Sequence, residues 1–361
     1  MFAAGVAYPV GNQPFGVRLT DLNGDRVPDI AVTNFADGTV SVLLNKGDKS
    51  GTFLPQKTLG TGLVHRVIAG DVNGDGWMDL IVPYGGSEEG LVGVLINSAD
   101  GTGSFKTAVN YSAPPGGDEV AVGDLNGDGK LDLVCDELTA NQVSVLLNTG
   151  VNGTLGTATT FGTGKGPEGL QLADMNGDGK LDVVVTNFYD NTLSVLLGKG
   201  DGTFGAQTTL ATGAAPQELV LADLNGDGVL DILVMARDDN SIDVLFGKGD
   251  GLGSVLAPVP YPTGKHPGWI AVGDVNGDGL PDVVVANSDD NNVGVFLNKG
   301  AGVLLPMVTF VTDVSGHGTT VGSGGAGASV ALSDVNGDGK LDVVTSNWNG
   351  NTLSVLLNMT P

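Results

Sequence analysis

Residues 174–185 read DMNGDGKLDVVV: Asp at the first, fifth and ninth positions, Asn at the third, Gly at the fourth and sixth, then a β-branched run. The same pattern, D-x-N-G-D-x-x-x-D, begins at Asp21, Asp71, Asp124, Asp223, Asp274 and Asp334. Successive copies are 50, 53, 50, 49, 51 and 60 residues apart. Near-equal spacing of this kind marks a repeat architecture, in which each unit buries its apolar face against its neighbours.

The unit around Asp174 shows what is repeated. An apolar run, Leu170–Ala173, precedes the motif and Val183–Thr186 follows it. Then come a turn-like Asn187–Asn191, a run Thr192–Leu197, the Gly-rich stretch Gly198–Gly202 and a last run, Phe204–Leu210. Four β-rich runs bounded by Gly, Asn and Asp, with no helical period, predict four strands per unit. Seven such units predict an all-β, seven-bladed β-propeller of four antiparallel strands per blade, filling residues 1–361 as one domain. The residue before each motif is small or short (Thr20, Gly70, Gly123, Ala173, Ala222, Gly273, Ser333), as the crowded axis of a propeller requires. The chain stops soon after a third-strand run at 354–358, while Phe2–Gly11 resembles the fourth-strand segments at Phe53 and Phe204. The N-terminal segment is therefore expected to supply the outer strand of the last blade, removing an open edge.

Composition limits the functions open to this fold. The chain has 361 residues, a formal net charge of −25 and only 16 Lys and Arg against 41 Asp and Glu. Acidity with few aromatics can signal disorder, but 41% of the residues are hydrophobic and fall in short Val, Leu and Ile runs, enough for a packed core. Nucleic acid needs clustered cations, so it is not expected as a partner. Anionic membrane surfaces are disfavoured for the same reason, and no apolar run approaches the ~20 residues of a membrane helix. No signal peptide is expected in Met1–Val10, which lacks a basic start and a long apolar stretch. Cys135 is the only cysteine and sits in the apolar run Leu131–Cys135, where a buried, unreactive thiol is expected.

The Asp motif has the chemistry of a hard-cation site. Calcium takes six to eight oxygen ligands on a tightly turned loop, whereas magnesium demands stricter geometry and sheds water reluctantly. Side chains at positions 1, 3, 5 and 9, with the carbonyl of position 7, are the expected donors. In the loop at 21–29 these are Asp21, Asn23, Asp25, Val27 and Asp29; at 71–79, Asp71, Asn73, Asp75, Trp77 and Asp79. At 124–132 they are Asp124, Asn126, Asp128, Lys130 and Asp132; at 174–182, Asp174, Asn176, Asp178, Lys180 and Asp182. The loop at 223–231 offers Asp223, Asn225, Asp227, Val229 and Asp231; that at 274–282, Asp274, Asn276, Asp278, Leu280 and Asp282; that at 334–342, Asp334, Asn336, Asp338, Lys340 and Asp342. Up to seven Ca²⁺ are expected. Position 6 is Gly in six copies and Arg26 in the first, which makes that site the least regular. The start of the motif matches an EF-hand loop, but Glu at position 12 and the flanking helices are absent. A plain Asn-Gly turn, the alternative, is expected to need neither the first nor the last Asp.

With DLNGDGKLDLV at 124–134, DMNGDGKLDVVV at 174–185 and DVNGDGKLDVV at 334–344, followed by SVLLN or SVLLG, the chain resembles the FG-GAP/VCBS repeat family. That family includes the blades of integrin α-subunit propellers and of many bacterial surface proteins. The resemblance implies an extracellular or cell-surface module with the metal loops on one face of the disc and ligands on the other. It also implies a protein or cell-surface glycan as partner, for a propeller that is monomeric or part of a larger surface protein.

No catalytic constellation stands out, so a non-catalytic binding or adhesion module is expected, with a lectin or a module of a polysaccharide-active enzyme as the alternative. His65 and His266 fall in loops between blades, and His317 in the Gly-, Ser- and Thr-rich insertion Asp313–Ala328. A sugar site needs aromatic platforms beside polar groups. The candidates are Phe35, Tyr84, Phe188, Tyr189 and Trp348, which follow second strands, with His266 and Trp269 from a neighbouring loop; all are expected opposite the Asp loops, where they could equally cover gaps between blades.

Overall fold

In the computed structural model, which describes residues 2–84, 90–113, 116–150, 153–312 and 329–360, the alternation of apolar runs and Gly-rich turns gives twenty-eight strands in seven antiparallel four-stranded sheets. Blade one comprises Pro14–Thr20, Asp29–Asn34, Thr39–Leu43 and Lys57–Gly60, from the axis outward. Blades two to six follow at 68–112, 120–162, 167–211, 216–262 and 267–311. Blade seven takes Val330–Ser333, Asp342–Asn347 and Thr352–Leu356, and its outer strand is Val6–Pro9 from the other end of the chain. Val6 pairs with Val355 and Pro9 with Thr352, so the ring closes as the two termini predict. The inner strands neighbour one another around a complete circle. No helix forms among the described residues, and none there is long and apolar enough to cross a membrane.

The core lies between blades. Second strands are buried along their whole length because both faces of each sheet are covered by a neighbour. That is why they read as continuous Val/Ile/Leu runs instead of alternating ones. Ile30 and Val32, for example, pack with Val344, Val355 and Leu353 across the closing seam between blades one and seven. Outer strands are mostly exposed. Cys135 is buried in the apolar cluster between blades two and three, where burial raises its thiol pKa well above the usual value.

Polar staples join the blades. Just after the third strand of five blades, a buried Asn (Asn45, Asn97, Asn148, Asn298 or Asn358) donates its Nδ2 to a carbonyl in the Asp loop of the preceding blade at 2.7–2.9 Å. Blades four and five have Gly198 and Gly247 at this place. In blade four the backbone compensates: Gly202 N–H donates to the Leu125 carbonyl at 3.0 Å.

Candidate functional site

The seven Asp loops join the first and second strands of their blades and therefore share one face. Their internal hydrogen bonds repeat almost identically. The position-1 Asp accepts at Oδ1 from the amide of position 4 at 2.7–2.8 Å. Its Oδ2 accepts from the amide of position 6 at 2.7–2.8 Å. The Asn at position 3 accepts from the amide of position 5, and the Asp at position 5 from that of position 7. The buried Asp at position 9 accepts at Oδ2 from the amide of position 2 and at Oδ1 from the residue after the third strand, as Asp29 does from Leu22 and Asn45. Positions 4 and 6 take positive φ, +79° at Gly24 and +89° at Gly76, a region that glycine adopts at no steric cost. Arg26 takes the same conformation at φ +67° and donates the same bond to Asp21, so the first loop keeps the common frame.

This frame corrects one sequence expectation. The first and last Asp of each motif have structural work as hydrogen-bond acceptors, so their repetition is not by itself a requirement for metal. Nor do the described residues include a group of three or more His, Cys, Asp or Glu drawn close enough to hold an ion as they stand. In six loops the outer oxygen of position 5 is bridged within the loop, by the amide of Asn23, Asn73, Asn225 or Asn276, or by Lys130 or Lys180. The donor set nevertheless fits a hard cation: each loop has a half-buried and an exposed carboxylate, an Asn oxygen and a carbonyl on one tight turn above a buried third Asp. Burial, reinforced by the charges at positions 5 and 1, raises Asp29, Asp79 and Asp342 to about 6. A bound cation would relieve that repulsion. The Trp77 ring also covers Gly24 of the neighbouring loop.

The opposite face carries the turns between second and third strands and the loops that enter each blade. Here the sequence candidates separate into groups. Phe35 and Trp348 stack at 5.7 Å across the closing seam, and Phe35 also stacks on His65 at 4.5 Å. Phe15 meets Trp348, Trp269 and His65. Trp269 is not in a loop, as the sequence suggested: it is the third residue of the strand Pro267–Gly273 and is only 4% exposed. It lies beneath the Arg66 guanidinium at 4.3 Å, so its ring is no open platform. Tyr84 donates to Asn110 and covers Gly93; His266 pairs with Asp289. Phe188 and Tyr189 form a separate edge-to-face pair at 5.1 Å, with Arg237 over Phe188. His317 lies outside the described residues.

Around the axis is an ionic cluster that single motifs did not reveal. Buried Arg66 pairs with Glu119 and Glu218, and His65 Nδ1 lies 2.8 Å from Asp118. Burial raises Glu168 to about 7, against the opposing pull of Arg66. Asp136 replaces a hydroxyl that elsewhere bridges blades: Thr33, Thr186 and Ser346 each accept an inner-strand amide and donate to the next blade's carbonyl. Asp136 accepts two amides at Oδ1 while its buried Oδ2 has no partner, and desolvation raises its pKa strongly. Next to this cluster an axial cavity of about 280 Å³ is lined by Arg18, Gln171, Glu218 and apolar inner-strand side chains. Superimposing the seven repeats would have exposed the cluster. The position five residues before the motif is Gly16 in blade one and Gly169 in blade four but Arg66, Glu119, Glu218, Trp269 and Ser329 in the other five, whereas the next position is always an apolar residue.

Comparison with known proteins agrees with the repeat. The FG-GAP-like repeat model matches residues 8–82, 84–135, 138–185, 174–234, 233–285 and 274–345. Cartilage acidic protein 1 of Xenopus tropicalis is 39% identical over 83 residues, 22% of this chain and 11% of that protein. Among solved structures, BBS1N in complex with ARL6DN (TM-score 0.66, 13% identity) and a streptogramin B lyase (0.66, 16%) each match over 99% of this chain and 97% of their own. An Agrocybe aegerita lectin described as recognising non-reducing terminal N-acetylglucosamine matches at TM-score 0.60 and 20% identity, over 97% of this chain and 86% of its own. These likenesses concern the fold, and they span enzymes and non-enzymes alike. The repeat model covers nearly the whole chain, and the protein belongs to the FG-GAP-like repeat family.

Proposed function

We propose that this propeller is a calcium-braced, non-catalytic binding module that works outside the cell and engages a protein or cell-surface glycan with the face opposite its Asp loops. The observation that carries this reading is the contrast between the two faces. One repeats the same oxygen-rich, hydrogen-bonded loop in all seven blades. The other differs from blade to blade in its aromatic and ionic side chains. What is repeated is what every blade needs to hold its shape; what differs is free to recognise a partner.

Calcium would be held by the side-chain oxygens of positions 1, 3, 5 and 9 and the carbonyl of position 7. Its chemistry there is to neutralise crowded carboxylates and brace the loop, which also touches the next blade. Modules of this kind bind calcium at the millimolar levels found outside cells. Titrating chelator-treated protein with CaCl₂ in a calorimeter tests the reading. Saturable binding that is weakened by Asp178→Ala and Asp227→Ala supports it; no heat and no calcium-dependent change in melting temperature would sink the calcium part. Sustained turnover of polysaccharides by the purified chain would overturn the non-catalytic part.

A further inference from the structure

Between blades three and four, on the face opposite the Asp loops, lies a groove of about 570 Å³ lined by Asn141, Lys165, Asp190, Thr192, Gln207 and Thr209. Tyr189, the chain neighbour of the lining residue Asp190, has 65% of its surface exposed. Three contacts fix this ring. Its amide donates to the Lys165 carbonyl at 3.1 Å, its ring rests against Gly166, where a Cβ would collide, and Phe188 meets it edge-on with Arg237 behind. The platform is thus held rigid while its outer surface stays open.

The polar groups of the groove are oriented but not consumed. Gln207 accepts the Ser194 hydroxyl at Oε1, and Asn141 accepts the Gly166 amide at Oδ1. Among the described residues, Gln207 Nε2, Asn141 Nδ2 and the Thr209 hydroxyl have no hydrogen-bond partner. Asp190 accepts the Lys165 amide, and its other oxygen lies 3.8 Å from Lys165 Nζ, so the local charges offset one another. The equivalent groove between blades four and five, about 540 Å³, makes a comparison within the same molecule. There Pro258 and Pro260 stand in place of Gln207 and Thr209, and Asp238 in place of Tyr189.

We propose that the blade three–four groove binds a neutral pyranose unit of a glycan. The apolar face of the sugar would rest on Tyr189, and its hydroxyls would bond Gln207, Asn141, Thr209 and Asp190. An amphipathic, flat ligand suits an aromatic face beside donors and acceptors, and balanced charge disfavours a strongly ionic one. The proposal rests on the reading that this face binds ligands, and it names the ligand class and the place. The experiment is a glycan array on calcium-loaded protein, followed by calorimetry with the neutral oligosaccharides that score. Expected are hits that Tyr189→Ala and Gln207→Ala weaken at least about tenfold, that Tyr189→Phe retains, and that Trp348→Ala leaves within twofold. Because Tyr189 is a surface residue, unchanged melting of its Ala variant separates lost binding from lost folding. Binding that survives both groove variants, or that falls only with Trp348→Ala, overturns the groove while leaving glycan recognition by this face intact. A silent array overturns the groove and leaves protein recognition by the same face open to its own test.

Discussion

Replacing Asn97 by Ala removes one inter-blade staple and nothing else of comparable size. The side chain is buried, its Nδ2 donates to the Leu22 carbonyl of blade one at 2.9 Å and to the Met78 carbonyl at 3.1 Å, and its Oδ1 accepts from Ala99 N–H at 3.0 Å. The backbone bond from Asn97 N–H to Asp79 is retained. Three net hydrogen bonds at about 1 kcal/mol each, with two buried carbonyls left short of a donor, give a loss of roughly 3 kcal/mol. The melting entropy of a chain this long, about 0.7–0.8 kcal/mol/K by residue scaling, converts that into a fall of about 4 °C. The assay is scanning calorimetry of wild type, Asn97→Ala and Asn97→Asp at pH 7 in saturating calcium. The Asp variant keeps the shape but sets a carboxylate against two carbonyls, so it should fall further than Ala. A shift under 1 °C for Ala, or an Asp variant as stable as wild type, would refute the staple argument.

Four other outcomes follow from the same geometry. Excess EDTA should lower the melting temperature of the calcium-loaded protein, because a ligand favouring the folded state is withdrawn; an unchanged transition by circular dichroism would contradict this. Arg26→Gly relieves a non-glycine residue at positive φ, so stability should rise by up to about 1 kcal/mol after the entropy cost of Gly is deducted, and a clear loss in urea melts would show that the Arg26 side chain matters more than its backbone. Glu168 has a folded pKa near 7, above its unfolded value, so its favourable contribution is complete below about pH 4.5 and is lost as pH rises through 7. Glu168→Gln should therefore stabilise more at pH 8 than at pH 5, by on the order of 2 kcal/mol; equal effects at both pH values would remove burial as the cause. Deleting residues 2–9 takes away the outer strand of blade seven and bares the edge of Thr352–Leu356, and loss of the monomer peak in size-exclusion chromatography should result.

The sequence by itself determined the number of blades, the four strands in each and the closure of the ring. Each of these depends on local signals that recur at a fixed period: a turn that Asn and Gly favour, a β-branched run after it, and a small residue before it. Repetition made these readable because noise in one copy, such as Arg26, is corrected by the other six. The same repetition misled where it made the first and last Asp of each loop look superfluous to the turn. Only the fold shows Asp21 closing its own loop and Asp29 holding Leu22 and Asn45.

Which side chains of the non-repeating face meet was decided by tertiary structure. Phe15 and His65 share one repeat position and Phe35 and Trp348 another, but with Trp269 they are spread over more than three hundred residues, and the repeat alone does not show that they touch. They meet because ring closure sets blade seven beside blade one and every entry loop delivers its side chains to a common axis. Arg66, Glu119 and Glu218 likewise come from three blades to form one buried ion cluster. The groove between blades three and four exists because the outer edge of blade four presents Gln207 and Thr209 beside the turn of the same blade. A periodic sequence encodes the spacing of its own repeats, but convergence on an axis or across a blade gap is a property of the closed ring.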